Sequence, residues 1–205
     1  FKWSVLKAAL QELKDVPSCD FGKHIIPHCH QNGAKVVAYD FKGYWKDVGT
    51  IESLWESNMD LLDPNVTLDL ADENWKIYSR NPVVAPHYVS PTGVVQNSLI
   101  SDGCIIEGNV DFSVLFSNVT IAPGAVVNDS ILMPGVVVEE GAVIQYAIVS
   151  ENAVIKKNAV VGARPEDIEN KEDWGVAVVG DNRTIGEGAV VAPKEMVYED
   201  KEGVN

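Results

Sequence analysis

A chain of 205 residues with 46% apolar side chains has room for one large or two modest domains, each with a core. A net charge of −14 argues against nucleic acid and anionic membrane surfaces as partners, and leaves an anionic small substrate only where basic groups or a metal neutralise it locally. Three cysteines, Cys19, Cys29 and Cys104, form neither a CxxC pair nor an even framework, so reduced thiols and a cytoplasmic location are expected, and no signal peptide or apolar run of spanning length is visible.

In chain order, Trp3, Leu6, Leu10 and Leu13 recur at helical spacing, which predicts a helix over 1–14. Pro17 follows it. Asp20-Phe21-Gly22-Lys23 reads as a loop, 24–32 as a short helix ending near Gly33, and Lys35 to Phe41 as a strand. Gly43 to Thr50 (GYWKDVGT) is a glycine-bracketed turn, and Thr50 can cap a helix whose residues Ile51, Leu54, Trp55 and Leu62 share one face. Helix, strand and helix over 1–65 look like the trailing end of an α/β domain, too small to stand alone because its strand has no partner. The missing sheet is expected upstream of Phe1 or from another chain, and a first residue other than Met fits a piece of something longer. Residues 66–93 read as an extended connector marked by Pro82, Pro86 and Pro91.

From about 94 a hexad phrase takes over: Ile121-Ala-Pro-Gly-Ala-Val, Val138-Glu-Glu-Gly-Ala-Val, Val149-Ser-Glu-Asn-Ala-Val, Ile155-Lys-Lys-Asn-Ala-Val and Ile185-Gly-Glu-Gly-Ala-Val. A branched apolar residue points inward, Gly or Asn turns a corner because both tolerate φ > 0, and Ala leaves room beside it. Starts at 121, 138 and 155 are 17 apart, close to three hexads per coil. The pattern predicts a parallel β-helix of triangular section over 94–205, with a charged loop excursion at 163–184 (ARPEDIENKEDWGVAVVGDNRT).

Chemistry has few places to sit. Asp47 lies between strand and helix beside Lys46 and under Tyr44 and Trp45. Carboxylates at strand ends of α/β sheets commonly face a ligand crevice, and hard cations prefer oxygen ligands; the plain alternative is a carboxylate that satisfies backbone N–H groups at its turn. Asp20 could accept hydrogen bonds from a sugar and Phe21 could stack on its ring, or Asp20 could simply cap a helix. His24, His28, Cys29 and His30 resemble metal ligands, but Pro27 interrupts the His24–His28 pair and no further ligand group follows at zinc-site spacing. The β-helix has no histidine after His87, which weighs against a hexapeptide acyltransferase with a His base. Trp174 is expected to pin the excursion to the coil.

DFGKHIIP (20–27), GYWKDVGTIESLWESNMDLL (43–62), WKIYSRNP (75–82), SVLFSNV (113–119) and VVGDNRTIGEGAVV (178–191), in that order, resemble the C-terminal half of bacterial glucose-1-phosphate adenylyltransferases of the Gram-positive catalytic-subunit type. The resemblance implies the reaction of ATP with glucose 1-phosphate to ADP-glucose and pyrophosphate, for glycogen synthesis. It implies a Rossmann-like nucleotidyltransferase domain followed by a left-handed β-helix, against the usual right-handed crossover. It further implies glucose contacts by Asp20, Phe21 and Trp45, Mg2+ binding by Asp47 with a second carboxylate upstream, and a homotetramer or a mixed tetramer with a related subunit. The family's Gly-rich nucleotide loop, its other catalytic Asp and its sugar-phosphate Lys are not in this sequence, so no complete set of catalytic groups is expected here and the chain alone should be inactive. Arg80, Lys156, Lys157, Arg164 and Arg183 are the basic candidates for an effector site, or ordinary solvated surface. The competing expectations are a non-catalytic regulatory or scaffold subunit of the same complex and a hexapeptide acyltransferase.

Overall fold

The structure, a computed structural model, describes residues 1–79 and 82–203; of the basic candidates, Arg80 lies outside them. The chain divides into two compact units, Phe1–Lys42 and Gly43–Asn205.

In the first unit, helix α1 (Trp3–Glu12) packs on a one-turn π-helix, Phe21–Ile25, that runs directly into α2 (Ile26–Gln31). Ala9, Ile25 and Cys29 form its small core with Leu6, Leu13 and Ala34 around them. The tetrapeptide 20–23 is therefore not a loop: Asp20 accepts a hydrogen bond from the Lys23 N–H at 2.7 Å and starts the helical turn. Pro27 is tolerated because it stands in the first turn of α2, where its missing N–H costs nothing. Residues 35–41 are not a strand among the described residues. Val37, Tyr39 and Phe41 are exposed and the segment pairs with nothing, which is the outcome for a β-pattern that has no neighbouring edge.

In the second unit, strands of two or three residues build three parallel sheets of six strands each among the described residues. The first sheet runs from Tyr88–Val89 to Thr184–Ile185, the second from Val94–Gln96 to Val190–Val191, and the third from Leu99–Ile100 to Met196–Val197. The hexad register is the coil register: Ile121 pairs with Val138 and Val138 with Ile155. All five first-position residues and all five fifth-position alanines are buried, and the fourth-position Gly124, Gly141, Asn152, Asn158 and Gly188 all have positive φ. The inward column alone gives a continuous core from Cys104 to Val197.

Two boundaries differ from the sequence reading. The coil begins at Tyr88, which pairs with Ile105; its side chain is exposed, so it carries no inward signal. The excursion is also shorter than 163–184, because Ala177–Val179 is already a strand of the third sheet with Ala177 and Val179 fully inside. The chain leaves the coil at Gly162, where φ is +72° and a Cβ would stand 1.9 Å from the Gln145 carbonyl oxygen, so only glycine fits.

The third sheet is covered on its outer face. Helix α3 (Ile51–Met59) lays Ile51, Leu54, Trp55 and Met59 against Val114, Ile131, Ile148 and Val176. Thr50 caps it: its Oγ accepts from the Ser53 N–H at 3.2 Å and Ser53 Oγ accepts from the Thr50 N–H at 3.1 Å.

Candidate functional site

The GYWKDVGT turn is held by the end of the helix that follows it. The 3₁₀ turn Asp60–Leu62 continues α3, and the Asp60 carboxylate accepts from both the Tyr44 hydroxyl and Lys46 Nζ at 2.9 Å each. Lys46 also reaches Glu56 at 3.2 Å. Lys46 holds the Asp60 carboxyl below the ordinary carboxylate range, and Asp60 raises Lys46 in return. Burial, aided by Asp60, raises the Tyr44 phenol. Tyr44 and Lys46 are half-buried, whereas Trp45, 75% exposed, and Asp47 face solvent. Asp47 Oδ1 accepts from the Gly49 N–H at 3.1 Å. One exposed carboxylate offers a hard cation an oxygen ligand, but no group of three His, Cys, Asp or Glu side chains able to hold an ion occurs among the described residues. The donor chemistry of Asp47 fits a divalent ion whose other ligands come from elsewhere.

Asp20 and Phe21 belong to the first unit and Trp45 and Asp47 to the second. Asp20 is exposed, and the Lys23 N–H it accepts holds its carboxyl below the ordinary range. Half of the Phe21 surface is open, and its ring meets Phe1 edge-on at 5.7 Å. The histidines have other partners: His24 Nδ1 accepts from the Asp20 N–H at 3.0 Å, and His28 Nε2 lies 2.7 Å from the Glu12 carboxylate. Cys29 and Cys104 are buried, Cys19 is exposed, and all three are free.

The remaining basic candidates all have carboxylates beside them: Lys156 with Glu139 at 2.8 Å, Lys157 with Glu140 at 3.2 Å, Arg164 with Glu166 and Arg183 with Asp200 at 3.9 Å each. Trp174 does pin the excursion, through Nε1–H donation to the Ala163 carbonyl at 2.9 Å and an edge-on contact with Tyr146 at 5.1 Å. Tyr146 also meets Trp55 of α3 at 5.6 Å, and Trp55 Nε1–H donates to the Asp129 carbonyl at 2.7 Å. Neither this aromatic row nor the role of Asp60 was read from the sequence. The row joins residues far apart in the chain and has no spacing to announce it. The alternation of Tyr44 and Lys46 with Trp45 and Asp47 was a usable signal.

The Nucleotidyl transferase family description matches residues 1–64, and the GlmU-like, C-terminal hexapeptide description matches residues 85–180. The glucose-1-phosphate adenylyltransferase of Bacillus cereus is 51% identical over 136 residues, and those of Bacillus mycoides and Bacillus anthracis are 50% and 49% identical over the same length. Each match covers 65% of this chain. The chain spans about a third of the length of these relatives, 36% in each case. The likeness to bacterial glucose-1-phosphate adenylyltransferases seen in the sequence motifs is thus borne out, as are the nucleotidyltransferase segment and the hexapeptide coil. A nucleotidyltransferase segment also implies a divalent metal. No helix among the described residues is long and apolar enough to cross a membrane.

Proposed function

We propose that this chain is the C-terminal part of a glucose-1-phosphate adenylyltransferase, and that the full-length protein makes ADP-glucose and pyrophosphate from ATP and glucose 1-phosphate for glycogen synthesis. The observation that carries the reading is identity near 50% to named adenylyltransferases, in a chain whose Trp45 and Asp47 stand exposed on a braced turn. In the reaction, a phosphate oxygen of glucose 1-phosphate attacks the α-phosphorus of ATP and pyrophosphate leaves. Asp47 would supply one carboxylate to Mg2+, which offsets charge on the phosphates. Trp45 would lie against the sugar ring. Phe21 and Asp20, kept ionised, are proposed as glucose contacts by the motif resemblance alone.

Residues 1–65 would then be the trailing part of the nucleotidyltransferase domain, 66–93 its connector, and the rest the coil domain through which a homotetramer or mixed tetramer assembles. The expected location is the cytoplasm. The intact Asp47 favours a catalytic subunit over a regulatory one, and the histidine-free coil disfavours an acyltransferase.

These 205 residues contain no Gly-rich phosphate loop. Incubated alone with ATP, glucose 1-phosphate and Mg2+, they should release no pyrophosphate, whereas the full-length protein should release it only when both substrates are present. Turnover by the 205 residues alone, or a full-length protein inert towards glucose 1-phosphate, contradicts the reading.

A further inference from the structure

Between Tyr44 and Asp47 the side chains alternate, half-buried and exposed in turn. In extended backbone such alternation puts 44 and 46 on one side and 45 and 47 on the other. The inner pair shares one atom: Tyr44 Oη and Lys46 Nζ both bond Asp60 Oδ2 at 2.9 Å, and Lys46 reaches Glu56 as well at 3.2 Å. Asp60 in turn sits on a fixed base. It directly follows Met59, which is 5% exposed and packed among Val114, Ile131 and Ile148 on the coil's third sheet. The turn is closed from its other end by the Thr50–Ser53 cap. Nothing else bonds the Asp60 carboxylate among the described residues, and neither Trp45 nor Asp47 is among its partners.

We propose that Asp60 is a positioning residue: by gripping Tyr44 and Lys46 it sets the face on which Trp45 and Asp47 meet sugar phosphate and metal. This rests on the assignment of Trp45 and Asp47 given above. An ion pair that solvent still reaches, as this half-buried one does, contributes modestly to stability, whereas a displacement of about 1 Å at a reacting centre costs up to about a hundredfold in rate. The brace therefore acts on geometry far more than on folding.

The test uses the full-length protein with Asp60→Asn, Asp60→Glu and Asp47→Asn. Asparagine keeps an oxygen for Tyr44 and loses the charge for Lys46; glutamate keeps the charge. For Asp60→Asn we expect about a tenfold fall in kcat/KM for glucose 1-phosphate, a higher half-saturating Mg2+ concentration, an unchanged KM for ATP, and recovery of part of the loss in Asp60→Glu. Independently of activity, trypsin should cut after Lys46 about tenfold faster in Asp60→Asn, because a side chain left with Glu56 alone reaches the protease more often, with cleavage elsewhere unchanged. Wild-type kinetics in Asp60→Asn, unchanged cleavage after Lys46, or an equal loss for all substrates together with a lowered melting temperature would each overturn the brace. An inactive Asp47→Asn beside a wild-type-like Asp60→Asn removes the brace alone; a fully active Asp47→Asn removes the site reading beneath it.

Discussion

At the corner between the second and third sheets, successive coils place Asn97, Phe112, Asp129 and Tyr146, all non-glycine and all with φ between 43° and 49°. The sequence advertised left-handed corners at Gly and Asn, which adopt them at little cost. Phe112 and Tyr146 could not be read that way, because packing holds a bulky residue where its own preference would not: Phe112 lies against the cluster that includes Met59, and Tyr146 against Trp55 and Trp174. Beside this corner Ser98, Ser113 and Ser130 bond to the next coil, each accepting a backbone N–H at 3.1 Å. Their offsets of 15 and 17 residues match the coil and were legible, but nothing in a serine says that its hydroxyl faces inward. Asp129 gives a prediction with a definite sign. Burial raises its carboxyl above the ordinary 3.8, with Arg164 opposing. A carboxyl raised on folding weakens the fold at pH above its folded pKa, and the penalty disappears as pH falls towards 3.8. Asp129→Asn, a residue suited to the left-handed φ of 49°, should therefore melt higher than wild type at pH 7, and the two melting curves should converge as the pH is lowered through that window. A variant less stable than wild type at pH 7 contradicts the argument.

Helix α3 illustrates what is decided between elements. Its cap and apolar face were visible in the sequence, and at nine residues it is too short to persist alone in water. Its docking surface was not visible. The outward residues Val114, Ile131 and Ile148 read as ordinary strand residues, yet they are buried because α3 and Val176 cover them. The excursion is the reverse case. Its charge marked it as outside the coil, but Trp174 brings it back onto Tyr146, and the return to regular coil came sooner than its composition suggested. If packing and not propensity holds α3, Met59→Ala should cost about 2–4 kcal/mol in the transition that releases the helix. Urea titration followed by tryptophan fluorescence, with Trp55 as reporter, measures it; an unchanged midpoint would mean that Met59 does not anchor the helix.

For the molecule as a whole, the coil was legible because its period is written in residue types that geometry demands: branched residue inward, Gly or Asn at the corner, Ala beside it. In the first unit the two helices were legible, but segment 35–41 was not, because a strand takes its structure from a partner edge, and the pattern of Val37, Tyr39 and Phe41 cannot state where that edge is. The same asymmetry governs the candidate site. Asp20 with Phe21, and Trp45 with Asp47, were found from motif resemblance, and the geometry adds how the second pair is held: a turn braced by Asp60 on a helix fixed to the coil. On the proposed function, the coil would be the base from which Asp47 offers its carboxylate to a divalent metal. Pyrophosphate release from ATP and glucose 1-phosphate by the full-length protein carrying Asp47→Asn, measured beside wild type at saturating Mg2+ with melting temperatures for both, tests this most directly. The account predicts a loss of about a hundredfold or more in turnover with an unchanged melting temperature; turnover equal to wild type would contradict it.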